Sequence, residues 1–386
     1  MASKKGSPQS FKKQRGNVSP PSGRTGLKNY LLSLAKNKTF LISFSITIFI
    51  VIVSLGYYMV FGLNREAEPP EIDNEPVSEV EEEPEEEIIV EEPEPVSPYT
   101  GLPIIEDELL KRPFAIMMDN HPGARPQYGI QNASYVYEIV AEGGITRLLS
   151  IFHNYFEEDI GPIRSVRHYY AYYSRENDAI MAHCGGSSFG MNTLRSAGYD
   201  NIDEHIYTSA YYREKSRRAP HNLFTSLDRL IETAEKLNIY RETSIDNYFS
   251  FKLNPEEPGE VNEVQIPFDK SNVVTYKWDE ENYAYRRMIN GSKHIDGMTE
   301  EQISVTNIIV QYAEYNFISS VHRDYKITGS GEGLLINNGN SHKIKWSKEG
   351  YDKATQYNYE DGSPIMLYPG NTWFHILTPR NQASVK

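Results

Sequence analysis

Between residues 40 and 63 the chain carries 24 consecutive residues without a charge, FLISFSITIFIVIVSLGYYMVFGL, and every other segment has to be arranged around that run. At about 1.5 Å of rise per residue it crosses a hydrocarbon layer about 30 Å thick, so the sequence predicts one transmembrane helix over 40–63. A cleaved signal peptide is the competing reading. Its apolar core would be roughly 7–15 residues, followed by small residues at alternate positions, whereas this run ends in YYMVFGLNRE.

The flanks set the orientation. Residues 1–39 hold nine Lys or Arg and no acid, among Ser, Gly and Pro, and such a segment cannot build a core. Residues 66–94 hold fifteen acids and five prolines, a composition whose self-repulsion favours a disordered, extended tether. Because Lys and Arg beside a span are retained in the cytoplasm, the N-terminus is predicted cytoplasmic and the C-terminal residues extracellular. The resulting map is a basic disordered cytoplasmic segment 1–39, a span 40–63, an acidic Pro-rich linker 64–97, an N-terminal α/β domain 98–245 and a C-terminal β-rich domain 246–386.

No cysteine lies near the span, which excludes a lipobox, and the only thiol is Cys184. The outer part therefore has no internal disulfide, which argues against a small secreted scaffold and suits a domain large enough to bury a core unaided, in a Gram-positive type of envelope. Residues 98–386 carry 38 acids against 29 bases, so nucleic acid is not an expected partner.

Within the outer part, FAIMM (114–118) and AIMAH (179–183) read as buried strands, and YVYEIVAEG (135–143) as strand or helix. SLDRLIETAEKL (226–237) is a helix with Leu227, Leu230, Ile231, Ala234 and Leu237 on one stripe, and Ser226, Thr225 or Asn222 available to cap it. From about residue 245 alternating segments such as VVTYKW, YAYRRMI, NIIVQYA and GLLINN are separated by DEEN, NGSKHIDG and GSGEG, an antiparallel pattern. NPEEPGEVNE (254–263) is the connection between the halves or an exposed loop. The fold class is α+β: an α/β domain, then an antiparallel β-rich domain, preceded by the span and the linker.

Eight segments together carry a resemblance: YTGLP (99–103), MMDNHPGARPQ (117–127), EGGITRLL (142–149), GPIRSVRHYY (161–170), HCGGS (183–187), APHNL (219–223), NGSKHIDG (290–297) and PGNTWF (369–374). In these the chain resembles the YerB-like family of Firmicutes, over about residues 98–380. The resemblance implies an N-terminal domain followed by a β-rich C-terminal domain at the cell surface, and no reaction, since the family's function is unknown. Family members are described as lipoproteins, whereas this sequence has a full-length span where a lipidated cysteine would stand.

Candidate chemistry gathers in the first half. DNHPGARPQ follows a buried strand and so sits where α/β sheets form crevices, with Asp119, Asn120, His121 and Arg125 as candidates; the plain alternative is a turn in which Asp119 and Asn120 satisfy backbone groups. EGGITRLL and GPIRSVR place Glu142, Arg147, Arg164 and Arg167 beside glycines, suited to an anionic ligand or, equally, to structural ion pairs. His183 and Cys184 stand at another strand end, but neighbours on a strand point to opposite faces, which counts against a Cys–His nucleophile. GGSSFG lacks the GxSxG spacing of a nucleophile elbow. Arg218 and His221 in RRAPHNL are further ligand candidates. The histidines are scattered and neither HExxH nor paired CxxC is present, so the metal and any cofactor stay unnamed and ligands could meet only through the fold. NGSKHIDG reads first as a hairpin connection, and Trp373 as a core anchor.

Two functions follow. One is a membrane-anchored extracytoplasmic protein that binds an anionic cell-wall component or an envelope protein. The other is a cell-envelope enzyme acting on phosphate-containing lipid or glycan, with Asp119 and His183 as catalytic residues and Arg147, Arg164 and Arg167 holding phosphate. They part on convergence. If Asp119, Arg147, Arg164, Arg167 and His183 line one concave pocket the enzyme reading gains, and if they scatter into separate ion pairs it loses.

Overall fold

The computed structural model describes residues 94–243, 249–254 and 256–386. The basic segment, the span expected over 40–63 and the linker up to residue 93 lie outside the described residues. Among the described residues no helix is long and apolar enough to cross a membrane.

Both halves of the described chain build one ten-stranded sheet. The first half supplies β1 (Phe114–Asp119), β2 (Tyr135–Glu142), β3 (Ile145–Phe152), β4 (Ile180–His183) and β5 (Asn201–Asp203). Its helices are the single turn α1 (Glu106–Leu109), then α2 (His168–Glu176), α3 (Ser188–Ser196) and α4 (Leu227–Lys236). The second half supplies a smaller sheet built on β6 (Glu263–Asp269), β7 (Asn272–Asp279) and β8 (Ala284–Ile289), then β9 (Asn307–Tyr312), β10 (Gly329–Asn337), β11 (Asn340–Lys348), β12 (Gln356–Tyr359) and β13 (Thr372–Leu377). The large sheet runs β12-β11-β10-β9-β13-β2-β3-β1-β4-β5.

Sequence patterns explain the layers. β1 is buried at all six positions, as an apolar run covered on both faces requires. In β2, Val136 and Val140 enter one core with α4 and the small sheet, while Tyr135, Tyr137 and Ile139 enter the other with α2 and Leu194 of α3. That two-sided burial settles the strand-or-helix ambiguity of YVYEIVAE in favour of a strand. In α4 the apolar stripe holds: Leu227, Leu230 and Ala234 are buried while Asp228, Arg229 and Glu232 are exposed. Its cap does not follow expectation. Ser226 occupies the cap position without a side-chain bond, while Thr225 Oγ1 donates to the Ala210 carbonyl and Asn222 is held by Arg213.

Among the described residues the helices fall in the first half, so the expected contrast in content is present. The sheet itself, however, is not divided: β2 pairs with β13 in parallel register, Tyr135 opposite Thr372 and Ile139 opposite Ile376. Paired strands share backbone hydrogen bonds that neither half could satisfy alone. Residues 256–263 are not a free tether either, since the Gly259 and Val261 amides donate to the Asn338 and Gly339 carbonyls. NGSKHIDG does turn a hairpin, with Asn290 and Gly291 both at positive φ, the geometry of a two-residue type I′ turn. Trp373 is fully buried.

Candidate functional site

Strands β1, β2, β4, β5, β9 and β13 point the same way and bring their carboxyl ends to one edge of the large sheet. Crevices open at such an edge because the connections leave it in different directions. Asp119, Glu142, His183 and Asp203 end four of these strands.

Asp119 is 2 % exposed and fully engaged. Its Oδ2 lies 2.7 Å from His221 Nδ1 and 3.0 Å from Arg164 Nε, the latter without the alignment of a hydrogen bond, and its Oδ1 accepts from the His121 amide. His121 stacks on His221 with ring centroids 4.8 Å apart, and its Nδ1 accepts from the Gly123 amide. His221 Nε2 has no protein partner among the described residues. Arg218, exposed nearby, offers its carbonyl to the His221 amide.

Asn120 points the other way, into the layer under the small sheet. Its amide donates to Glu138 and Thr146, while Arg125 and Gln127 donate to its Oδ1. Glu138 is fully buried against Arg287 at 2.8 Å and His375 at 3.4 Å. Arg287 in turn donates to Tyr276 and His294, and His294 meets Gln127 at 2.7 Å. Burial raises the Glu138 carboxyl, but Arg287, His375 and Thr146 outweigh it and bring it down to about 2. Burial and the neighbouring Arg287 push His294 well below the ordinary histidine value.

Glu142 closes a separate cluster. It pairs with Arg147 at 3.2 Å, with Arg167, and with His322 at 3.6 Å. Burial raises its carboxyl, and the Arg167 and Arg147 guanidiniums more than offset this, leaving it lowered. Arg147 also donates to the Ser165 carbonyl. The arginines expected to hold an anion thus already face carboxylates: Arg164 faces Asp119, and Arg147 and Arg167 face Glu142.

His183 stands apart again. It is fully buried, with Nδ1 2.8 Å from the Gly185 carbonyl and Nε2 3.3 Å from Asn201, and burial holds it below the ordinary value. Cys184, the first residue past β4, points toward Glu204 and His205. The five residues whose convergence was in question form separate polar clusters along one edge rather than one pocket.

The open space on this edge lies beyond Glu142, a cleft of about 450 Å³ at the ends of β2 and β13. Its walls include Asp269, Glu314, Tyr315, Phe317, Arg323 and Arg380. Arg323 stacks on Tyr315 and Phe317 and donates to the Ala141 carbonyl at 3.0 Å. Phe317 and Arg380 are exposed, and Arg380 has no ion pair among the described residues.

Comparison with known proteins places this architecture. The N-terminal domain model of a family described as "Protein of unknown function (DUF3048)" matches residues 99–240, and its C-terminal domain model matches residues 264–374. The chain belongs to the DUF3048 family. A curated relative, "Putative lipoprotein YerB" of Bacillus subtilis (strain 168), is 31 % identical over 295 residues, covering 75 % of this chain and 88 % of the relative. The crystal structure of YerB protein from Bacillus subtilis superposes with a TM-score of 0.70 at 29 % identity, covering 76 % of this chain and all of that one.

The two DUF3048 segments meet inside the sheet: β2 belongs to the first and β13 begins in the second. The Glu138 network joins them too, since Asn120, Gln127 and Thr146 come from one segment and Tyr276, Arg287 and His294 from the other. Arg287 and His294 sit in stretches read from sequence as an ordinary strand and a turn. What marked them was a charged residue on a strand of alternating pattern, which is informative only once that face is known to be covered. The cleft residues Tyr315, Arg323 and Arg380 carried no motif.

Proposed function

We propose that this DUF3048 protein is a membrane-anchored extracytoplasmic protein of the Gram-positive envelope that binds a polar ligand carrying an anionic group in the cleft at the carboxyl edge. The anchor reading rests on the span 40–63 and its basic and acidic flanks. The description of the Bacillus subtilis relative as a lipoprotein supports the same compartment with a different anchor. The observation that carries the ligand reading is Arg380, an exposed cation without an ion pair among the described residues, on the wall of a cleft that also offers the aromatic faces of Tyr315 and Phe317. A guanidinium without an ion pair recognises phosphate or carboxylate, and an exposed ring packs against a flat apolar face such as that of a sugar.

Retention of the full chain on purified Gram-positive cell walls, before and after the anionic polymer is stripped, tests this. Arg380→Glu and Phe317→Ala alter exposed side chains, so both proteins should fold as the parent does. Retention is expected to fall roughly tenfold in each, an effect of about 1.4 kcal/mol. Unchanged retention in Arg380→Glu would sink the anionic-ligand reading.

The alternative, a cell-envelope enzyme acting on phosphate-containing lipid or glycan, is favoured by one observation: Asp119 orients His221 through Nδ1 and leaves Nε2 open, the arrangement of a general base. Against it, Arg147, Arg164 and Arg167 already face carboxylates. Phosphate release from wall or lipid fractions that survives His221→Gln would remove this reading.

A further inference from the structure

The ends of β4 and β5 carry a cluster that neither reading uses. We propose that Cys184, Glu204 and His205 form a three-ligand site for a thiophilic divalent transition metal, zinc first, with a fourth position open to solvent.

The geometry is that of one face of a tetrahedron. Cys184 Sγ lies 3.4 Å from Glu204 Oε2 and 3.8 Å from His205 Nε2, and His205 Nε2 lies 3.7 Å from Glu204 Oε2. Bonds of about 2.3 Å to sulfur and about 2.0–2.2 Å to nitrogen and oxygen place tetrahedral donor pairs at roughly 3.3–3.6 Å, so the three atoms need to move by only a few tenths of an ångström. Among the described residues this is the group of three such side chains whose donor atoms all converge within 4.8 Å. Thiolate with imidazole selects zinc-like ions over calcium or magnesium, which take oxygen donors.

The surroundings hold the donors in place. Asp203 Oδ1 accepts from both the Gly185 and the His205 amides, at 2.8 and 3.2 Å, tying the loops after β4 and β5 together. Gly185 has φ +55°, and a Cβ there would meet the His205 ring at 2.7 Å, so glycine is what lets the imidazole close over the thiol. Arg213 donates to Glu204 Oε1, leaving Oε2 to face the sulfur. His205 is exposed, giving an ion a path in.

Binding replaces the Cys184 thiol proton by the metal: the S–H bond breaks, the metal–thiolate bond forms, and one proton leaves to solvent for each metal bound.

Cobalt(II) titration of the full chain in detergent micelles, followed by displacement with zinc, reads this out. One equivalent of cobalt should produce a thiolate-to-metal charge-transfer band, with one proton released. Cys184→Ser should abolish the band, and His205→Ala, which alters an exposed side chain and leaves the fold intact, should weaken binding at least tenfold. Absence of the band in the parent protein, its survival in Cys184→Ser, or unchanged affinity in His205→Ala would each overturn the proposal. The outcome is independent of wall retention, so its failure leaves the cleft reading standing.

Discussion

Glu138 and Glu142 stand four residues apart on β2, each paired with arginine, and they do opposite things. Glu138 and Arg287 are both fully buried, fenced by Asn120, Thr146, Tyr276 and His375, and they bridge the large sheet to the small one. Glu142 keeps about a quarter of its side chain in solvent and gathers Arg147, Arg167 and His322 at the sheet's edge. Simple alternation would put both acids on one face, but the register shifts between Val140 and Glu142, and that bulge turns Glu142 to the face of α2. The same chemical pair is scaffold where water is excluded and rim where one side stays open.

Breaking the sealed pair should have the largest effect. Arg287→Met leaves the buried Glu138 carboxylate without its guanidinium, with an expected loss of about 3–5 kcal/mol in urea unfolding. A loss below about 1 kcal/mol would show that the network does not clamp the two sheets.

Acid should act next, through buried histidines. Burial lowers His153 from 6.5 to about 4, so its contribution is fully present above pH 6.5 and is lost as pH falls from 6.5 to 4, about 3 kcal/mol in all. Glu138, lowered from 4.5 to about 2, adds its loss below pH 4.5. A urea midpoint that stays flat between pH 6.5 and 4 contradicts this, and His153→Gln should make that part of the profile shallower, the remainder coming from His183, His294 and His375.

At the edge the effects shrink. Asp119→Asn loses charge-assisted contacts to His221 and Arg164, an expected cost of about 1.5–3 kcal/mol in the same unfolding measurement. Glu142→Gln, at a position open to water on one side, is expected to cost about 0–1 kcal/mol. A Glu142→Gln cost equal to that of Arg287→Met would erase the distinction between rim and scaffold. Smallest of all, Arg380→Glu should shift stability by no more than about 0.5 kcal/mol while lowering wall retention.

How much of this was legible in sequence depended on range. β1, β4 and α4 were readable because an apolar run or a 3.6-residue stripe is local information. That β2 would pair with β13 was not, since Tyr135 and Thr372 are joined by register alone, across most of the outer chain. Asp119, His121 and His221 were picked out by residue type, and the structure does bring them together. His183 was picked out by the same logic and is a sealed core histidine, because position at a strand end does not say which face a side chain takes. Cys184 was weighed against its neighbour His183, whereas its contacts, Glu204 and His205, arrive on the loop that follows the next parallel strand.

The place of β13 has a consequence for the order of events in a chain made from one end. Thr372–Leu377 follows every other strand of the large sheet in sequence, yet it sits between β2 and β9. Until it arrives, β2 offers an unpaired edge and, among the described residues, no strand of the first half pairs with a strand of the second in the large sheet. A chain emerging residue by residue, from a ribosome or across a membrane, cannot complete this sheet early. A truncation just before residue 372 would leave two open-edged sheets where the whole chain makes one.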